Sequence, residues 1–285
     1  MDERYARVSG ASGSVTLMGT GAASGLHMSA LEGWYGTPDG KWSLTERQLA
    51  DGAFGLSPEQ VTYSSRTVTI DGFALGRSRQ EVLALLGLLR SLAHQVVTLS
   101  VADGGGETFS TGALSLEVGK GWSPTSATFT LTVVCPDPCR YGAALRRAYL
   151  RPGTGAGGLE WGRDAPHGLL WPLSYGGGGA GANVATLRNE GSGVAYPTIT
   201  ASGDMGGLAI TDVGTGRQVA LDGAIGTEPV TLDCRSRRAT VAGVDASRRL
   251  SARAFPSIPA RGSATLALTA EGTGTVEVAW RDTYI

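Results

Sequence analysis

Three histidines, three cysteines, scattered carboxylates and several glycine clusters are the residues of this chain that could do chemistry. His27, His94 and His167 lie far apart, and none belongs to an H-x-x-x-H or H-E-x-x-H pattern, the spacing that sets two imidazoles on one helix face around zinc. Cys135 and Cys139 flank Pro-Asp-Pro at a C-x3-C spacing. A zinc knuckle of that kind needs a second ligand pair, and only Cys234 remains, with no histidine near it in sequence. A strand that stops at the prolines is the better account, because proline cannot donate to a ladder. There is no G-x-S-x-G elbow, and Gly176 to Gly179 is not followed by Lys-Ser/Thr. Gly19-Thr-Gly21 and Gly153-Thr-Gly155 lack the third glycine of a dinucleotide fingerprint. Glu32, Asp51, Glu160 and Asp164 could be proposed as a glycosidase pair, but the required separation of roughly 5–10 Å is set by fold, and solvated carboxylates are the simpler reading. No catalytic, metal-ligating or cofactor-binding residue is therefore expected. Trp161, Trp171 and Tyr175 are the candidates for stacking on a sugar. Large aromatics also fill seams between domains, which is the preferred reading here.

The composition sets the frame for those residues. At 285 residues the chain has room for two domains of ordinary size or one large β domain, and 41% hydrophobic content supplies enough apolar material for real cores. Glycine, at 44 residues, is about twice its usual ~7% share. It lacks a G-x-y period and sits between short alternating runs, as turn punctuation in a β-rich chain. The net charge is −1, so the whole molecule has no electrostatic case for nucleic acid. The opening MDERYARVSG is charged, so no signal peptide is expected, and the apolar stretch from Val82 to Leu92 is too short for a membrane span. These features predict a soluble product made in a cytoplasm.

The first half predicts one helix among strands. Ser78 followed by Glu81 is a capping box, and Val82, Leu85, Leu86, Leu89, Leu92 and Ala93 recur at i, i+3, i+4, i+7 spacing. The helix is predicted from Ser78 to His94, with His94 compensating the dipole at its C-terminus. Leu83 and Leu88 widen the apolar stripe and predict cover on more than one side. Alternation predicts strands over Arg66–Gly72, Gln95–Val101, Ala113–Val118 and Ala127–Val134, the last with Phe129, Leu131 and Val133 on one face. The order β–α–β–β–β predicts a sheet with one helix packed on it, an α+β domain of about 140 residues.

After a glycine-rich stretch from Arg151 to Asn183, in which Leu169 to Tyr175 is expected to dock partly as a strand, the last hundred residues read as hairpins. Thr198–Ala201 turns at Gly203–Gly207 into Leu208–Ile210, and Ile210–Val213 turns at Gly214–Gly216 into Gln218–Leu221. Val230–Cys234 turns at the Arg235–Arg238 cluster into Ala239–Ala242, and Ala264–Thr269 turns at Glu271–Gly274 into Val276–Trp280. Regular short strands of this kind predict a sandwich or barrel.

The order of these elements resembles the siphophage distal tail protein, a minor tail protein family. The residues that carry the likeness are Ala50-Asp-Gly-Ala-Phe-Gly55, Ser65-Arg-Thr-Val-Thr-Ile-Asp-Gly72, the amphipathic helix and Val133-Val-Cys-Pro-Asp-Pro-Cys-Arg-Tyr-Gly142. Asn189-Glu-Gly191, Tyr196-Pro-Thr-Ile199, Ile258-Pro-Ala-Arg-Gly262 and the ending Trp280-Arg-Asp-Thr-Tyr-Ile285 extend it over nearly the whole chain. The resemblance implies a mainly β protein. An α+β, tail-tube-like belt domain (1–142) closes into a ring, a glycine-rich connection (143–183) follows, and a galectin-like β-sandwich (184–285) completes the chain. It further implies a homo-hexamer at the distal end of the virion tail that joins the tail-tube protein to the tail-tip hub or baseplate proteins and leaves a channel for DNA as passing cargo. No cofactor, catalytic residue or membrane insertion is implied. Interfaces between neighbouring belts are expected to exceed about 2,000 Å². The competing readings are a carbohydrate-binding module gripping host cell-wall sugars through the C-terminal sandwich, a glycan hydrolase, and the tail-tube subunit itself.

Overall fold

A computed structural model describes residues 5–18, 24–55, 57, 61–153 and 183–285. The chain is mostly strand with one α-helix among the described residues. It divides into two compact units, Met1–Ala143 with Tyr284–Ile285, and Ala144–Thr283.

The first unit contains β1 (Tyr5–Gly10), β2 (Gly13–Met18), β3 (Gly25–Glu32), β4 (Arg66–Leu75), α1 (Arg79–Leu92), β5 (Val96–Asp103), β6 (Gly106–Val118), β7 (Ser126–Cys135) and β8 (Arg140–Gly142). Its strands follow the order β6-β5-β1-β2-β3-β4-β7, and β7 then pairs back onto β6 over Ala113–Val118 and Phe129–Val134. The sheet therefore closes into a seven-stranded barrel, antiparallel except where β2 meets β3 at Met18 and His27. Gly112 sits where β6 leaves β5 for β7. A Cβ there would lie 2.4 Å from the Val134 carbonyl oxygen, so only glycine allows the closure.

Inward residues alternate as the pleat requires: Ala6 and Val8, Val15 and Leu17, Val68 and Ile70, Val97 and Leu99, Phe129, Leu131 and Val133 are all buried. Val82, Leu86, Leu89 and Leu92 of α1 join the same core. The predicted cap is present, with the Ser78 hydroxyl accepting the Glu81 N–H at 3.3 Å. The Glu81 carboxylate reaches one residue further back than a capping box implies, to the Arg77 N–H at 2.7 Å.

The sheet is closed, and β1, β2 and β3, which the sequence reading does not contain, complete it. Each of β1 and β2 has only two fully inward apolar positions, a weak signal in sequence. Leu83 and Leu88 are 44% and 53% exposed, so α1 is covered on one side only. The helix ends at Leu92, and His94 stands beyond it with φ 61°, donating its N–H to the Leu114 carbonyl at 3.0 Å. Its backbone turns the chain from the helix end into β5.

The second unit contains β9 (Arg146–Leu150), β10 (Val184–Arg188), β11 (Thr198–Ser202), β12 (Met205–Asp212), β13 (Gln218–Ile225), β14 (Val230–Asp233), β15 (Arg238–Val241), β16 (Val244–Asp245), β17 (Leu250–Arg253), β18 (Ser263–Thr269) and β19 (Thr275–Trp280). They form two sheets, β10-β18-β12-β13-β17 and β16-β15-β14-β11-β19-β9. Leu187, Ile210, Val219 and Leu266 from one and Ile199, Leu232, Val276 and Val278 from the other share one core, which makes the unit a β-sandwich. Two expected hairpins are real, β12–β13 and β14–β15. The other two are not. β11 and β12, and likewise β18 and β19, lie in different sheets, so the glycine bends at 203–207 and 271–274 are arches that cross the sandwich. The arches abut: Gly203 has φ 97°, and a Cβ on it would lie 2.8 Å from the Cα of Gly274. A glycine bend shows that the chain reverses; it does not show which sheet receives it.

Candidate assembly surfaces

Between β3 and β4 the described residues 39–55, 57 and 61–64 form an arm outside the barrel strands. Its limbs pair through Lys41 N–H to Thr62 O and Ser64 N–H to Asp39 O, both 2.8 Å. Further out, Phe54 N–H reaches Thr45 O at 2.9 Å and Arg47 N–H reaches Gly52 O at 3.0 Å. No described residue from 35 to 65 is buried. Yet Trp42, Leu44, Leu49 and Phe54 are carried there, with Leu49 fully exposed and Phe54 61% exposed. Trp42 meets Tyr63 edge-on at 6.1 Å, and the Arg47 guanidinium lies 5.7 Å from the Phe54 ring centre. Among the described residues of this segment, these four large apolar side chains are thus left exposed to solvent, an adhesive surface.

The base of this arm is fixed by Arg66, the first residue of β4, which is 1% exposed. Its Nη1 donates to the carbonyls of Gly33, Trp34 and Gly36 at 2.6, 3.0 and 2.8 Å, and its Nε donates to that of Pro138 at 2.8 Å. A planar guanidinium reaches carbonyls on separate segments from two of its nitrogens at once, whereas an ammonium gathers its three donors on a single nitrogen. Burial first, then the neighbouring positive Arg140, hold its pKa below the ordinary arginine value.

The Pro138 carbonyl belongs to the Cys135–Cys139 segment, which is a turn. There the Asp137 carboxylate accepts the Cys139 N–H at 3.0 Å and the Tyr141 hydroxyl at 2.5 Å. Cys135, Cys139 and Cys234 form no disulfide. Burial pushes the pKa of Cys135 and Cys234 up, which keeps both protonated and unreactive. Among the described residues no three of His, Cys, Asp and Glu converge as metal ligands would. His27 is buried and stacks on Phe73 with ring centres 5.0 Å apart.

Beside Arg66, Arg140 of β8 faces three rings. Its guanidinium carbon is 5.5 Å from the Trp34 ring centre and 5.8 Å from those of Tyr35 and Tyr284. Burial lowers its pKa, and its Nε is buried without an acceptor. These rings border a hollow of about 250 Å³.

The remaining candidates separate. Glu32 ends β3 and Asp51 stands near the arm's tip, both exposed. Trp161, Trp171, Tyr175, His167, Glu160 and Asp164 lie outside the described residues, as does most of the stretch from Arg151 to Asn183. The hollows described on the second unit, about 450 and 350 Å³, have no aromatic side chain in their linings. Among the described residues no helix is long and apolar enough to cross a membrane. Sequence reasoning missed Arg66 and Arg140, whose import lies in distant carbonyls and rings. It also passed over Trp42, Leu44 and Leu49, since exposed apolar residues look like core residues until the fold is known.

No family model matches the chain, and no curated protein does. Solved structures do. The chain is similar to the Dit (gp 19.1) protein of phage SPP1, described as a paradigm of the hub adsorption apparatus in phages infecting Gram-positive bacteria. The TM-score is 0.60 at 14% identity, over 91% of this chain and 94% of that one. It is also similar to a chain of the phage P2 baseplate in its activated conformation with calcium, at a TM-score of 0.51 and 8% identity, covering 98% of both chains. The same baseplate with strontium gives 0.50 at 8% identity, over 97% of both. The fold neighbours thus belong to a phage hub adsorption apparatus and to a phage baseplate.

Proposed function

We propose that this chain is a non-catalytic structural protein of the distal tail of a siphophage. In this reading residues 1–142 are a belt domain and six copies close into a ring. The ring joins the tail-tube protein to the hub or baseplate proteins and leaves a channel through which DNA passes. Residues 184–285 are a galectin-like sandwich carried by the ring, with 143–183 as the connection. The protein is made in the host cytoplasm and resides in the virion.

The observation that carries the reading is the arm: a paired, coreless segment with Trp42, Leu44, Leu49 and Phe54 in solvent. Such a segment gains its stabilising contacts from other polypeptides. Fold likeness over nearly the whole length to hub and baseplate proteins supplies the partners by analogy. A ring subunit needs head-to-tail surfaces whose rotation closes, and a projecting arm received by a neighbour satisfies that need.

The test is sedimentation of the purified chain, alone and mixed with tube and hub proteins, followed by cryo-EM of virions. A closed hexamer around the tail axis near the tip is expected. A chain that stays monomeric in every mixture, or maps to the capsid or neck, would overturn the proposal.

A further inference from the structure

We propose that the hollow beside Arg140 in the first unit is a binding site for an acidic sugar, a ring bearing one carboxylate and several hydroxyls. The walls supply each group such a ligand needs. Trp34, Tyr35 and Tyr284 give apolar ring surface, Arg140 gives a positive fork, and Asp103, Thr108 and the backbone at Gly105–Gly106 give polar edges. Aromatic faces suit the C–H face of a sugar, while a guanidinium pairs with a carboxylate through two parallel hydrogen bonds.

Arg140 is already set in place. Three rings hold its guanidinium within 5.8 Å of their centres, so little side-chain freedom is lost when it engages a ligand. Positive charge is concentrated there, since Arg66 stands close enough for its ionisation to be disfavoured by Arg140, and Arg66 spends its hydrogen bonds on neutral carbonyls. Nη2 of Arg66 and Nε of Arg140 are both buried without acceptors, and among the described residues Asp103 is the one carboxylate in the lining of the hollow.

Asp103 shapes the choice of ligand. It accepts the Tyr35 hydroxyl at 2.6 Å, and a carboxylate can accept several hydrogen bonds at once. A bare anion would meet repulsion from Asp103, whereas a hydroxylated acid places its carboxylate at Arg140 and donates a hydroxyl to Asp103. The volume of about 250 Å³ lies below the roughly 300–1,000 Å³ of sites for drug-sized molecules, which limits occupancy to a single ring. Recognition here is independent of ring assembly, so failure of either leaves the other standing.

The test titrates the full-length protein with D-glucuronate, D-glucose and acetate, following tryptophan fluorescence and saturation-transfer NMR. Glucuronate should bind saturably, with glucose and acetate each weaker by about tenfold or more, the loss expected for one missing charge-assisted hydrogen bond or set of hydroxyl bonds. Arg140→Gln and Asp103→Asn should each weaken glucuronate by a similar factor, with thermal unfolding confirming the fold. Should Arg140→Gln not fold, Asp103→Asn and Tyr35→Phe carry the test. Acetate or glucose binding as tightly as glucuronate, no saturable binding of glucuronate, or variants binding like the parent would each overturn the proposal.

Discussion

Removing the Arg66 guanidinium tests whether one buried cation fastens the arm to the barrel. Arg66→Met keeps the length and apolar stem of the side chain and deletes four hydrogen bonds, to Gly33, Trp34, Gly36 and Pro138. The bond to Trp34 is buried and the other three are partly so. An orphaned buried carbonyl costs about 2 kcal/mol, and each partly buried one, which regains water, costs roughly 0.5–1 kcal/mol. The total is about 4 kcal/mol. Relief of burying a charge with no carboxylate partner offsets about 1 kcal/mol of it. The expected loss is therefore about 3 kcal/mol in the first unit. Amide hydrogen exchange in β4 and β7 reads that unit apart from the second, and it should accelerate roughly 150-fold. Arg66→Lys retains the charge but presents a point donor, so it should recover no more than about a third of the loss. Exchange within threefold of the parent in Arg66→Met, or full recovery in Arg66→Lys, would show that the four-carbonyl fork is not what holds the base of the arm.

The other predictions concern the arm, the closure, the sandwich and the thiols. Leu49→Ser with Phe54→Ser should leave the unfolding midpoint within about 1 °C, because neither side chain is buried, yet shift assembly in sedimentation toward monomer. Gly112→Ala should destabilise the first unit by about 2–3 kcal/mol in urea unfolding, since its methyl meets the Val134 backbone. Brief iodoacetamide treatment of native protein should label Cys139 before Cys135 and Cys234, whose thiols burial keeps protonated; mass spectrometry of peptides reads the order. Asp245 has its pKa lowered, chiefly by hydrogen bonds from the Ser247 side chain and N–H, then by Arg238 and Arg248. Its contribution is present above the ordinary aspartate pKa of about 4 and is lost as pH falls through the lowered folded value. Acid titrations of the parent and Asp245→Asn should therefore converge at the acid end and differ at neutral pH.

Legibility followed the length and repetition of each signal. The helix was plain because its cap and four buried positions agree, and β7 because five inward residues alternate without interruption. β1, β2 and β9 were not read as strands, since each is short and shows at most two fully buried apolar residues. The sandwich was legible as a set of strands, but its arches were not, because Gly203 and Gly274 fit each other across 200-series positions far apart in the chain. The site residues were hidden for a related reason. Nothing beside Arg66 in sequence marks its carbonyl partners, which lie up to 72 residues away. Leu83 and Leu88 misled for the opposite reason: apolar residues on a helix read as core, and here they face solvent.

Closure of the barrel changes how such a subunit can associate. An open sheet offers unpaired edges to a neighbour, and strand addition would then be the natural route to a ring. In the first unit β6 and β7 use those edges on each other, from Ala113 to Val118. The apolar residues left exposed include Trp42, Leu44, Leu49 and Phe54 on the arm, Leu83 and Leu88 on the outer face of α1, Val96 at the start of β5, and Trp122 at 76% exposure in the β6–β7 loop. In the proposed ring, neighbouring subunits would then meet by side-chain packing, with the exposed apolar residues of the arm as one contact surface. That geometry requires Arg66 to be rigid: an arm that swivels at Gly33–Gly36 would lose the ordering that makes its apolar residues adhesive at low entropic cost. The buried cation and the exposed hydrophobes are therefore two halves of one device, and loosening the first should weaken assembly even where the second is intact.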